Sequence, residues 1–334
     1  MYTKLESELI DKLASEDDRH KLRMRLDMVR ENFAQSSPFI NAANSDYTDH
    51  SVKHVHHVQG VLYRIIINNE SLSLSIEELY LLCLVTYFHD WGNIVDRKEH
   101  KRFAFTYYNQ VFNANLRIHG EANAINSITM AHSGSDDTLL KVDEDSYIFD
   151  RKIRTRLLAA LLRLSDELAE SKSRTSVDHM NRPDIDKTSI LHHFYAFAIE
   201  IQPDIHRRRI AATYNIFVRN DSNGLNVTNI GVNATIQFPE FMEFLFQRID
   251  KMNGERKYTK YYLSPFVSFD EMSIDININK FNRRYNDYFP CTILKDRIPY
   301  KVFDDKHLPA RNDNPEALFD IEAIMSQLRE DEEE

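Results

Sequence analysis

His89 and Asp90 stand side by side at the end of an apolar run, LYLLCLVTYFHDWGN. Such a pair makes a poor core and a good metal site, because an imidazole nitrogen and a carboxylate oxygen can hold one divalent cation from adjacent positions. Two other features point the same way. Upstream, His50, His54, His56 and His57 place four histidines within eight residues. Downstream, Asp166 sits in a second apolar run, LLAALLRLSDELAE. An unpaired carboxylate buried among those leucines is costly, so a cation or an ion-pair partner such as Arg163 or Arg174 must offset it.

The upstream histidines divide by spacing. His50 and His54 are four residues apart and share a face if one helix carries both, while His56 is turned away at about 100° per residue. His50 is open to three roles: ligand, substrate contact or structural group. A polar helix face is the plain alternative for all four. Past the His-Asp pair come His100, His119 and His132. On one uninterrupted helix His119 and His132 would lie about 20 Å apart, so His100 with His132 is the more workable pair. Arg97, Lys98, Lys101 and Arg102 follow the pair closely. Arginine suits bidentate phosphate contacts and lysine supplies a point charge; the alternative is a solvated helix face. Arg207, Arg208 and Arg209 read as surface charge or a partner patch.

A histidine, then His-Asp, then an aspartate, each on an apolar helical pattern, resembles the HD phosphohydrolase superfamily over roughly residues 45–180. The segment from His89 to His100 resembles a subset with HDxGN followed by an arginine and a further histidine. The resemblance implies a metal centre of His54, His89, Asp90 and Asp166, with His54 preferred because Val58 completes His-x-x-x-Val. His100 and His132 are the implied ligands of a second ion. Such a centre suits one or two divalent ions among Mn, Fe, Co, Ni, Zn and Mg. The implied activity is metal-dependent hydrolysis of a nucleotide-type phosphoester by activated water. Asp90, His50 and His132 are its candidate catalytic groups, and Arg97, Lys101 and Arg163 its candidate substrate contacts. The alternative is a nucleotide sensor or protein-interaction module with an HD fold and little turnover. No HDIGKIGIP-type or HDIGHPPFGH-type run is present to select a substrate.

Composition narrows the setting. The 334 residues are 42% hydrophobic and 28% charged, ordinary for a soluble globular chain. A net charge of −10 argues against tight duplex binding, yet leaves room for a small anionic substrate at a local basic cluster. The seven glycines form no GxGxxG and no P-loop. No stretch approaches the ~20 apolar residues of a membrane span, and the N-terminus has no signal-peptide pattern. Two cysteines far apart, Cys83 and Cys291, give no sign of an oxidising compartment, so a cytoplasmic setting is expected. A homo-oligomer is compatible with all of this.

The elements that must position these residues are mostly helical. Apolar spacing predicts helices within residues 4–34, over 49–67 with Thr48 or Asp49 as N-cap, and from Ser75 to His89, with others at 99–115, 119–132 and 151–170. Beyond Pro183 the pattern changes. Residues 190–218 read as two strands split at Pro203-Asp204, and Gly224, Asn226 and Asn229 as a polar loop. Pro239 opens an amphipathic helix, and Met272, Ile274, Ile276 and Ile278 alternate as a half-buried strand. The expected fold is mainly α: an HD-type helical bundle over 1–185, then a smaller α+β domain over 186–334 with an acidic tail.

Overall fold

The computed structural model describes residues 1–13, 16–67, 69–134, 137–222, 224–282, 287–290 and 301–304, with Ile321, Met325 and Leu328 near the end. Cys291 and the acidic residues after Leu328 lie outside the described residues. The chain forms two compact units, Met1–Ala169 with Glu255–Ser268, and Glu170–Gly254 with Phe269–Glu334. Among the described residues no helix is long and apolar enough to cross a membrane.

The first unit is built of helices. The apolar spacing over 4–34 resolves into α1 (Lys4–Lys12) and α2 (Glu16–Ala43), the latter running through Pro38. The α3 helix (Val52–Ile67) starts later than expected: Ser51 precedes it, its Oγ accepting from Lys53 N. His50 therefore lies before the helix rather than on it. The α4 helix (Ile76–Phe88) opens with a capping box in which Ser75 and Glu78 each accept from the other's backbone N–H. It is apolar all round because it is enclosed all round, by α1, α2, α3, α6 and α7; Leu79 to Phe88 are all buried.

The expected helix at 99–115 is broken. A 3-10 turn at His100–Phe103 leads into α5 (Ala104–Val111). That over 119–132 shrinks to α6 (Glu121–Met130), which leaves His119 before it and His132 after it. A hairpin of β1 (Ser146–Ile148) and β2 (Arg151–Ile153) precedes α7 (Thr155–Glu167). Phe149 and Asp150 turn it with φ of 51° and 60°, without the Asn-Gly or Asp-Gly signal that announces such turns.

In the second unit a one-turn helix α8 (Val177–Met180) leads to α9 (Lys187–Ala198), which corrects the first of the two expected strands. Its Ile, Phe and Tyr content imitates a strand, but Asp186 caps a helix by accepting from Thr188 N and Ser189 N. Extended structure begins at β3 (Ile199–Asp204), which includes Pro203 and Asp204, and turns into β4 (Arg209–Asp221). Of the expected polar loop, Gly224 and Asn226 lie on β5 (Gly224–Thr228), with Asn226 buried, and Asn229 follows the strand. Then come β6 (Ile236–Gln237), α10 (Phe238–Leu263), β7 (Glu271–Asn282), β8 (Asp287–Pro290) and β9 (Lys301–Asp304). The sheet order is β6-β5-β4-β7-β8, with β3 also on β4 and β9 on β7. β4 and β7 run parallel, Ala212 opposite Ile274. A mainly helical bundle with a smaller α+β region is thus the fold. The last residues of α10, from Glu255, belong to the first unit.

Candidate metal centre

Three histidines reach the centre by one local device. A helix leaves its last carbonyls without intrahelical partners. At the end of α4, His89 Nδ1 bonds the Thr86 carbonyl at 2.9 Å; after α6, His132 Nδ1 bonds the Thr129 carbonyl at 2.6 Å. His100 Nδ1 bonds the Arg97 carbonyl at 2.6 Å. In each case the acceptor lies three residues back. A carbonyl only accepts, so Nδ1 carries the hydrogen and Nε2 is presented to the cluster.

The Nε2 atoms meet around two carboxylates. His54 Nε2, from α3, lies 3.3 Å from His89 Nε2, 3.1 Å from Asp166 Oδ1 and 3.5 Å from Asp90 Oδ2. His89 Nε2 is 3.3 Å from Asp90 Oδ2 and 3.6 Å from Asp166 Oδ1. Asp90 turns its other oxygen to a second group: Oδ1 is 3.4 Å from His100 Nε2 and 3.8 Å from His132 Nε2, and those nitrogens are 3.2 Å apart. In each group the ligand atoms lie within 4.8 Å of one another. His100 and His132 both spend Nδ1–H on carbonyls, which turns their Nε2 atoms toward each other. That arrangement is repulsive unless positive charge lies between them. Ligand atoms about 2.1 Å from a common cation are themselves about 3.0–3.4 Å apart, and the donor set fits one.

The electrostatics agree. Burial alone would raise the Asp90 carboxyl, but His89 and His50 outweigh it and hold Asp90 well below the usual range. Burial likewise opposes the Asp166 charge, and hydrogen bonds from His54 and His89 hold that carboxyl well below its usual value. Burial would lower His89, yet Asp90 and Asp166 push it up to about 10. His132 moves oppositely: burial first, then the charge on His89, lowers it to about 3 despite Asp90. With Nδ1–H given to the Thr129 carbonyl, the ring turns Nε2 toward the second group.

The remaining sequence candidates fall in different places. His50 Nδ1 is 2.8 Å from Asp90 Oδ2, and its Nε2 is 3.3 Å from Arg97 Nη1. A guanidinium only donates, so Nε2 accepts and Nδ1–H is given to Asp90. The Arg97 guanidinium also lies 3.8 Å from the centroid of the half-exposed Tyr47 ring, a neighbour with no signal in the sequence. Lys101 Nζ donates to the Ser133 carbonyl at 2.9 Å, beside His132. Arg163 and Arg174 do not pair with Asp166: their carboxylate partners are Glu255 and Glu170. Arg163 binds that carboxylate with two donors, at 2.6 and 2.7 Å. His56 and His119 are exposed and belong to neither group. Arg207 and Arg208 sit near the β3–β4 turn beside Asp204 and Asp270.

No curated protein and no solved structure matches the chain. The HD-CE family model does match, over residues 45–225. That span holds all six residues of the two ligand groups and more than half of the 334 residues. On that match the chain belongs to the HD-CE family.

Proposed function

We propose that the chain is a metal-dependent hydrolase of a nucleotide-type phosphoester. The observation that carries this reading is Asp90, whose two oxygens face two separate histidine groups. His54, His89, Asp90 and Asp166 would hold one divalent ion, and Asp90, His100 and His132 a second. Such ions, when bound, activate water and neutralise charge developing on a phosphoryl group. Thr86, Thr129 and Arg97 aim the imidazoles through their carbonyls, and His50 fixes the Asp90 carboxylate by donating to Oδ2.

Arg97 and Lys101 supply positive charge for the substrate. Arg97 stands at the His50 edge of the centre and can exchange its Nε2 contact for a phosphate oxygen, which it binds better in fork geometry. Tyr47 beneath it offers a flat aromatic face suited to a base.

The test is a panel of nucleoside mono-, di- and triphosphates, cyclic nucleotides and an aryl phosphodiester, incubated with Mn²⁺. Metal-dependent release of phosphate or nucleotide, lost in a folded Asp90→Ala protein, is the expected result. Binding without turnover by metal-loaded protein across the panel would refute it.

A further inference from the structure

His132 leads from α6 into a loop whose described residues include 133, 134 and 137–139. That loop is held by groups that lie partly beyond the family-matched residues 45–225. Arg163 is buried on α7, three residues before Asp166. Its Nη1 donates to Thr138 Oγ1 and its Nη2 to the Gly134 carbonyl, both at 2.8 Å. The same guanidinium is gripped by both Glu255 oxygens and lies 4.6 Å from the centroid of the Tyr258 ring. Leu139 N donates to the Tyr258 hydroxyl at 2.9 Å, and that hydroxyl donates to Asp137. Tyr262 reaches the two Asp137 oxygens at 2.7 and 2.8 Å. Thr138 Oγ1 closes the loop on itself by donating to the Ala131 carbonyl at 3.2 Å.

We propose that Glu255, Tyr258 and Arg163 are positioning residues for His132, so that the end of α10 completes the second ligand group from outside the family-matched span. Two features favour this over plain packing. Arg163 shares α7 with Asp166, so one helix fixes a ligand of the first group and the loop of the second. And the bonds converge on 134 and 137–139, two to seven residues after His132, whose Nε2 stands 3.2 Å from His100. Tyr262 adds a second hydroxyl to the same carboxylate.

The inference rests on the proposed two-ion centre, and the experiment separates the two. The full chain is titrated with Co²⁺, followed by d–d absorption and calorimetry, alongside hydrogen exchange of residues 131–142. Tyr258→Phe is the mild variant, since it keeps the ring over Arg163 and removes only the hydroxyl. Glu255→Gln is the stronger one, and Tyr261→Phe, at an exposed ring, is the control. The wild type and control are expected to bind two ions in two steps. Tyr258→Phe and Glu255→Gln are expected to weaken only the second step, by about 10–100-fold as supporting contacts of metal sites do, with faster exchange at 137–142. An unchanged second step in both variants, or equal weakening of both steps, overturns the inference and leaves the two-ion reading standing. A wild type that never takes a second ion overturns the two-ion reading, and the inference with it.

Discussion

Gly92 packs so tightly on the 3-10 turn at His100–Phe103 that a Cβ there would collide with the His100 carbonyl. Its φ is not the issue; space is. Gly92→Ala must push His100 away from Asp90 and His132 while leaving His54, His89 and Asp166 in place. We expect roughly 10–100-fold weaker binding at the His100–His132 group, read as a weakened second step in the Co²⁺ titration; an unaltered second step would contradict that placement of His100. At this scale, the residues that converge were legible because their types were wrong for their surroundings. A His-Asp pair and a lone Asp among leucines need an explanation that burial alone does not supply. The role of Arg163 was not legible, because its partner Glu255 is 92 positions away and nothing local distinguishes the pair. Tyr47 was missed for the same reason: its value is a face beneath Arg97, which sequence spacing does not reveal.

The α4 helix carries His89 and Asp90 to the centre, and its start is set by Glu78. That carboxylate accepts from Ser75 N at 2.9 Å and pairs with Arg154 through two side-chain bonds, Nε at 2.7 Å and Nη2 at 2.6 Å. Burial would raise the Glu78 carboxyl, but the bonds from Arg154 and Ser75 hold it below the usual range. The folded protein therefore binds that proton less readily than the unfolded chain. The stabilisation is fully present above the unfolded value of about 4.3 and is lost as pH falls through the folded value. Glu78→Gln keeps an amide that can serve the capping box and loses the ion pair. We expect it to cost about 1–3 kcal/mol at pH 7 and to flatten the acid limb in urea melts between about pH 5 and 3. Parallel wild-type and variant acid limbs would argue against the Glu78–Arg154 pair as their source. The Ser75 cap and the apolar run were legible because the signals are local. The α9 helix was not, since Ile, Phe and Tyr favour strands by composition and only the Asp186 cap speaks for a helix. Three-residue strands such as β1 and β2 are too short to show alternation.

On the scale of the molecule, the family-matched residues end before the first unit does. Glu255–Ser268 belong to that unit, and through Glu255, Tyr258 and Tyr262 they hold the loop after His132. A chain cut at residue 186 lacks them and leaves Arg163 a buried cation without its carboxylate. We expect that fragment to unfold at clearly lower urea than the full chain; an equal midpoint would show that the returning segment contributes nothing. The helix-rich first part and the later change to an α+β pattern were legible from periodicity, but the return of the chain was not, because a helix that spans two units has one continuous pattern.

The central claim is that one carboxylate serves two ligand groups, and the most direct test is the metal content of folded Asp90→Ala protein. Wild type and variant are purified without chelator, soaked in Mn²⁺, desalted and analysed for metal per chain. With Asp90 shared, the wild type should hold about two ions, and the variant should fall below half the wild-type content, since both groups lose a ligand at once. A folded Asp90→Ala protein that keeps its full metal content would contradict the account.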